Sequence, residues 1–387
     1  MRLLRITAEG MDLFNGIVAV DFYAEQRVTE EDKIGMAAAC PNVFLNSAIA
    51  FTGINASGKT SVLKVLEVAL GIVGGLPINS LINNGVLSCR GGITFEIYYT
   101  SGTDVFRLKT VVRTVKDAAT GKEEYIIDDE ALYRKPAEKG LRKKNLFSFC
   151  DDDVILRRDP AAAYLLKDLS IVYAHNKETK TQWSVYSMVS STNRNDSLDF
   201  KDIPDALICF LDPMIEYLKS SGSGEKRTFR LKFNNHSEIR LNSQEQLINI
   251  LSSGTLRGIN LFMRAFIQME RGGYLIVDEI ENHFNKEIVA TLIRMFLNKR
   301  INRNGGTLVF TTHYPELLDR FDRNDCIYIM RNKGGITAEK LSVRLHRNDI
   351  KKSDAYQSGY LQGTAPSYDA YMKMVKEVPE FLKNQGI

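Results

Sequence analysis

Paired cysteines are missing from this 387-residue sequence: its five, Cys40, Cys89, Cys150, Cys209 and Cys326, are odd in number, widely spaced and free of any C-x-x-C pair or Cys/His cluster. That excludes a disulfide framework and a cysteine-rich zinc site, and reads as reduced thiols in a cytoplasmic protein. No run of about 18 uncharged apolar residues occurs, so no membrane-spanning helix is expected. The opening MRLLRITAEG carries two arginines but no apolar core of signal-peptide length. Charge of one sign is also lacking, because 51 basic residues face 47 acidic ones. Nucleic acid would therefore have to meet a local patch and not a global field. Internal repeats and sustained heptads are absent too. What is present is a chain with 44% apolar residues, long enough for two domains or one domain with a large insertion.

LLRITAEG, IVAVDFYA and AIAFTG are short, β-branched and broken by glycine or polar turns, which predicts strands leading into a glycine-rich loop. A helix should follow. In SVLKVLEVALGIV the apolar residues from Val62 to Leu70 surround only Lys64 and Glu67, so most of its surface would be buried. GITFEIYYT, VFRLKTVVRTV and EYIIDDEALY read as a meander with turns at SGTD and DAATGK. From about Arg134 to Gly224 the composition is mixed, with helical candidates AAAYLLKDLS and DALICFLDPMIEYLKS around the polar loop SSTNRNDS; this reads as a mainly helical insertion. Beyond it TFRLKFNN and EIRLNS suggest a hairpin, NSQEQLINIL, TLRGINLFMRAFIQMER and NKEIVATLIRMFLNKR helices, and GGYLIVDE, GTLVFTTH and DCIYIMR strands. Buried strands alternating with helices predict an α/β fold: a mixed-sheet lobe plus a mostly parallel sheet with flanking helices. The expected divisions are 1–133, 134–224, 225–345 and a tail, 346–387.

Four motifs carry chemistry. GINASGKT, Gly53 to Thr60, satisfies G-x-x-x-x-G-K-[ST] at Gly53, Gly58, Lys59 and Thr60, between a strand and a helix. Its backbone would wrap a nucleotide phosphate using Gly53, Asn55, Ala56, Ser57, Gly58, Lys59, Thr60 and Ser61, with the helix N-terminus behind. Lys59 would bridge the β- and γ-phosphates of ATP, and Thr60 would bind Mg²⁺. In YLIVDE, Asp278 at the end of a buried strand suits Mg²⁺ and Glu279 suits a general base for water. LSSGTLR offers Ser252, Ser253 and Gly254 as donors at a helix start, or a plain serine cap. His313 follows the buried strand TLVF, where an isolated histidine would be only a loop residue.

In this order the motifs resemble an ABC-type ATPase head, with residues 1–133 and 225–345 as its two halves and LSSGT in place of the LSGGQ-type signature. The resemblance implies a homodimer in which Ser252, Ser253 and Gly254 grip the γ-phosphate bound to the opposite copy. It also implies that His313 senses that phosphate, and that IENHFN is the D-loop, with Asn285 where an aspartate is usual. For Glu281 and His283 a bland reading, as helix-capping or surface polar residues, stands level with a catalytic one. Asn55 stands where many chromosome-maintenance relatives have asparagine. Within the family the chain is most similar to the stand-alone OLD and RecF branch of AAA-family ATP-binding proteins found in abortive infection against phage, through DEIENHFN, LSSGT and DAYQSGYLQGTAPSYD.

Some features depart from that pattern. No glutamine lies between Lys59 and Gln182, so the usual Q-loop residue is not identifiable. The 192 positions from Lys59 to Leu251 are too few for long coiled-coil arms, and the 74 residues after His313 too few for the metal-dependent nuclease domain of OLD proteins. Asp128–Asp129 and Asp151–Asp153 are then expected in solvated loops. The run from Arg134 to Lys144 holds six cations and no aromatic residue, which suits a solvated loop more than a single-strand binder. The expectation is a cytoplasmic ATPase that dimerises around ATP and Mg²⁺ and regulates a separate effector, a toxin or nuclease, in anti-phage defence. The alternative is a RecF-like DNA clamp that uses the basic run.

Overall fold

The structure is a computed structural model and describes residues 1–116, 121–138, 141–159, 165–179, 183–190, 198, 200, 202–222, 227–282, 284–361 and 368–384. Two six-stranded sheets dominate it. The first is antiparallel, in the order Val18–Asp21, Arg2–Glu9, Ile93–Ser101, Asp104–Lys116, Glu123–Pro136, Val154–Arg157. Its strands alternate buried with half-exposed positions, as a sheet with one wetted face requires.

The second sheet runs Val185–Ser187, Tyr274–Val277, Thr307–Thr312, Ala48–Thr52, Ile327–Asn332, Ile336–Lys340. Its first five strands are parallel and only the last is antiparallel. Ala48–Thr52, Tyr274–Val277 and Thr307–Thr312 are buried at every position, because helices or the other sheet cover both faces. Alternate residues divide between two cores. Ile49, Phe51, Ile276 and Val309 pack with the helix Lys59–Val73 and with Ile6, Phe95, Ile97 and Leu108 of the first sheet. Ala48, Ala50, Leu275 and Phe310 pack on the other side against Ile259 and Phe262 of Ser253–Arg271 and Val289, Ile293 and Phe296 of Lys286–Leu297. The helix after the glycine-rich loop is thus sandwiched between the sheets. Its near-complete burial follows from an almost all-round apolar sequence, each buried Val or Leu contributing about 1.5–3 kcal/mol.

The segment 134–224 differs from the expected helical pattern. Its described residues hold two short α-helices, Val172–Glu178 and Asp205–Leu211, beside strands that join both large sheets and a three-stranded sheet of Ile215–Ser221, Thr228–Phe233 and Ile239–Leu241. In DALICFLDPMIEYLKS the helix stops at Leu211. Asp212 has extended backbone before Pro213, and Ile215–Ser221 then pairs antiparallel with Thr228–Phe233. Leu165–Ser170 forms turns and not the helix expected in AAAYLLKDLS, whose first four residues, like 191–197 of the polar stretch, lie outside the described residues. Arg134 belongs to the strand Glu123–Pro136.

Asp128 and Asp129 sit on that same strand and not in a loop. The register slips there, Val111 facing Asp129 while Val112 faces Ile127, and this bulge turns both aspartates outward. Asp151–Asp153 is a 3₁₀ turn in which Asp153 accepts the Cys150 N–H at 2.8 Å. In the tail, Lys352–Gln357 docks on Pro315–Arg320 through Ser353, whose N–H and hydroxyl both donate to Asp319, at 2.9 and 2.6 Å. A last helix, Tyr368–Asn384, follows.

Candidate active site

The strand Ala48–Thr52 delivers Gly53, and two left-handed residues, Ala56 at φ 61° and Gly58 at φ 93°, curl the backbone before the helix starts at Lys59. Glycine is required twice. A Cβ on Gly53 would lie 2.6 Å from the Met330 carbonyl oxygen, and one on Gly58 would lie 2.5 Å from Ile336 Cγ2. Ile336 is held there by the loop after the first strand, accepting from Asn15 N–H at 3.0 Å and donating to the Leu13 carbonyl at 2.9 Å. No side chain caps the Lys59–Val73 helix, so its first N–H groups face the cleft. That cleft, about 450 Å³, is bounded by Leu13, residues 55–61, Glu279, His313, Asn332 and Ile336.

Lys59 is buried, and its Nζ donates to the carbonyls of Gly53 at 3.0 Å and Ile54 at 3.1 Å, with His313 Nδ1 at 3.5 Å. Burial lowers its pKa below the usual lysine value, and Glu279, Asp278 and Glu281 oppose that shift. Across the sheet, Thr60 donates its hydroxyl to Asp278 Oδ2 at 2.7 Å, and Thr311 donates its own to Asp278 Oδ1 at 2.6 Å. The Thr311 oxygen also accepts the Glu279 N–H at 2.7 Å. Glu279 itself has φ 46°, a left-handed conformation that a side-chain-bearing residue adopts only when its surroundings enforce it. Its Oε2 accepts from Asn282 at 2.6 Å and its Oε1 lies 3.5 Å from His313 Nε2.

The arrangement suits a magnesium nucleotide. The Ser57 hydroxyl is buried without a partner among the described residues, in the glycine-rich loop that leads into the uncapped helix N-terminus. Thr60 and Asp278 offer the hard oxygens that Mg²⁺ prefers. No group of three or more His, Cys, Asp or Glu suited to a metal occurs among the described residues, and Mg²⁺ customarily takes its other ligands from phosphate and water.

Other expected residues lie elsewhere. Ser252 caps the helix Ser253–Arg271 by accepting the Thr255 N–H at 3.0 Å; Ser252 and Ser253 are exposed, and neither they nor Gly254 lines the Lys59 cleft of their own chain. Asn285 caps Lys286–Leu297 through the Glu287 N–H at 2.9 Å and is exposed. His283 lies outside the described residues, as do Lys139 and Gly140 of the basic run. Within that run Lys135 donates to the carbonyls of Asn145 and Ser148, both at 2.7 Å, and Lys143 to those of Glu25 at 3.0 Å and Gln26 at 2.9 Å. Arg142 and Lys144 are exposed. The strand beside Tyr274–Val277 is Val185–Ser187, followed by Met188, Val189 and Ser190 with no glutamine.

Sequence reasoning missed Thr311 and left Glu281 undecided between a capping or exposed part and a catalytic one. Glu281 is in fact buried, and its Oε1 accepts the main-chain N–H of His313 at 2.5 Å. Thr311 left one weak signal, a polar pair ending an otherwise apolar strand; Glu281 stood out only by following Asp278 and Glu279, which did not separate its two readings.

Residues 49–319 match a family model described as "AAA domain, putative AbiEii toxin, Type IV TA system". No curated protein matches the chain. No helix among the described residues is long and apolar enough to cross a membrane. AAA domains in general hydrolyse ATP, and the description ties this group to toxin–antitoxin systems. Since the match spans more than two thirds of the sequence and the mixed α/β architecture with its largely parallel sheet is consistent with it, the chain belongs to this family of AAA-type P-loop NTPase domains.

Proposed function

We propose that the chain is an ATPase whose two copies close head to tail on two ATP molecules, and that this closure restrains or releases a separate effector, a toxin or nuclease, in defence against phage. The observation that carries the reading is the convergence of Lys59, the Thr60–Asp278 pair and the Glu279–His313 pair on one cleft, from two strand ends and one helix start.

Residues 53–61 hold the phosphates, and Lys59 exchanges the Gly53 and Ile54 carbonyls for phosphate oxygen. Thr60 and Asp278 hold Mg²⁺, which when bound neutralises charge on the phosphate oxygens. Glu279 gives up its hydrogen bond from Asn282 to take a proton from the attacking water, and His313 contacts the γ-phosphate. Ser252 and Ser253 are exposed and Gly254 half-buried at a helix N-terminus away from their own chain's cleft, which supports their serving the partner's site. Asn285, exposed at the cap of Lys286–Leu297, would be the D-loop residue of the closing face. The DNA-clamp reading draws less support, because Lys135 and Lys143 are tied to main-chain carbonyls. ATP-dependent retention of duplex DNA that disappears in an R142A/K144A variant would favour it.

Light scattering with ATP tests the main reading. Glu279→Gln should accumulate as an ATP-bound dimer, and Lys59→Ala should stay monomeric without bound nucleotide. Monomers in both cases would refute it.

A further inference from the structure

The chain leaving Tyr274–Val277 is fastened to the end of Thr307–Thr312 by three successive hydrogen bonds. Glu279 N–H reaches Thr311 Oγ1 at 2.7 Å, Ile280 N–H reaches the Thr311 carbonyl at 3.1 Å, and His313 N–H reaches Glu281 Oε1 at 2.5 Å. The third lies beyond the last strand residue, Thr312, and its acceptor is a carboxylate.

Stability alone accounts poorly for a glutamate at this place. The side chain is only 7% exposed, and Oε2 has no hydrogen-bond partner among the described residues. A buried carboxylate with half its capacity unmet carries an uncompensated desolvation cost, and an apolar side chain of equal volume would commonly be as stable or more so. What glutamate supplies, and an apolar residue cannot, is an acceptor oxygen at the right reach to fix the main chain of His313. The His313 ring is the part that depends on this, since Nδ1 lies 3.5 Å from Lys59 Nζ and Nε2 3.5 Å from Glu279 Oε1. Glu279 and Glu281 leave the same strand end two residues apart, so the carboxylate facing the histidine ring and the carboxylate holding its backbone are set by one segment.

We propose that Glu281 is a positioning residue for ATP hydrolysis: by accepting the His313 N–H it holds the imidazole between Lys59 and Glu279. This rests on the ATPase reading above. A misplacement of about 1 Å at a reacting centre lowers a rate by up to about a hundredfold without changing how the substrate is held elsewhere. The effect should therefore fall on kcat and spare KM.

Three substitutions in the full chain separate contact from charge. Glu281→Gln keeps an acceptor oxygen at the same reach without the charge, Glu281→Asp keeps the charge but falls short by one methylene, and Glu281→Met keeps neither. ATP turnover, KM and the affinity for a fluorescent ATP analogue are measured for each, alone and combined with His313→Ala. Glu281→Gln should retain kcat within about threefold, while Asp and Met should lower it about 10- to 100-fold with KM and analogue affinity held within about twofold. Neither should slow His313→Ala further. A slow Gln variant beside a fast Asp variant would overturn the proposal in favour of a purely electrostatic part, as would KM rising in step with falling kcat, or full additivity with His313→Ala. If the Met variant does not fold, the Gln and Asp pair still decides. A wild-type chain without ATP turnover, or His313→Ala with wild-type kcat, removes the underlying reading and this proposal with it. Wild-type kcat in Asp and Met beside a slow His313→Ala removes only the part assigned to Glu281.

Discussion

Replacing Thr311 with valine removes one hydroxyl and almost nothing else, yet that hydroxyl joins the two acidic residues of the site. It donates to Asp278 Oδ1 at 2.6 Å and accepts the Glu279 N–H at 2.7 Å, and Thr311 is fully buried. Valine has nearly the same volume, so no cavity term enters. Losing a hydrogen bond to a charged group costs about 1.5–3 kcal/mol, and stranding a buried donor about 1–3 kcal/mol. Part of this is recovered. Glu279 holds φ 46°, a conformation worth about 1–2 kcal/mol of strain, and without its anchor it can relax. The expected net loss is about 3 kcal/mol. Urea unfolding of the nucleotide-free chain, followed through its single tryptophan, Trp183, measures it. Thr311→Ser, which keeps the hydroxyl, should stay within about 1 kcal/mol of wild type. The valine variant should also need more Mg²⁺ for half-maximal turnover, because Asp278 loses the partner that fixes its second oxygen. A loss below about 1 kcal/mol for valine would refute the claim that this hydroxyl organises the site.

How far the sequence discloses the molecule depends on whether a residue's task is local. Ala48–Thr52, Tyr274–Val277 and Thr307–Thr312 are legible because burial on both faces leaves continuous apolar runs. The glycine-rich loop is legible because phosphate approach demands Gly53 and Gly58 whatever surrounds them. In DALICFLDPMIEYLKS, Leu207, Ile208, Leu211, Ile215 and Leu218 fit a helical stripe, but pairing with Thr228–Phe233 claims the second half as strand. That pairing is tertiary information. Val185–Ser187, with three residues, is too short to show any period, although it forms the edge next to the Asp278 strand. The parts played by Thr311 and Glu281 are illegible for the same reason as the misread strand. What each does is defined by partners 32 positions away in sequence, and neither residue type at its position implies them.

Two further predictions concern the loop itself. Gly58→Ala places a Cβ at φ 93° within 2.5–2.7 Å of three Ile336 carbons, and should lower the melting temperature of the nucleotide-free chain and abolish ATP binding; unchanged melting would contradict the close packing of Ile336. Lys59→Met should act in the opposite direction on stability. Burial lowers the Lys59 pKa below its ordinary 10.5, with Glu279, Asp278 and Glu281 opposing, so the folded chain holds that proton less tightly than the unfolded one. Near neutral pH the ammonium therefore disfavours folding, and methionine removes that burden. Nucleotide-free Lys59→Met should melt at or above wild type while failing to bind ATP. As pH rises from the folded pKa toward 10.5, the unfolded chain binds the extra proton, so wild-type stability climbs relative to the variant and the gap closes. Melting curves at both ends of that window test the sign. A variant that melts lower near neutrality, or a gap that widens with pH, would mean that the Gly53 and Ile54 carbonyls more than compensate the buried charge, and that the empty loop is stabilised by the lysine it holds ready for phosphate.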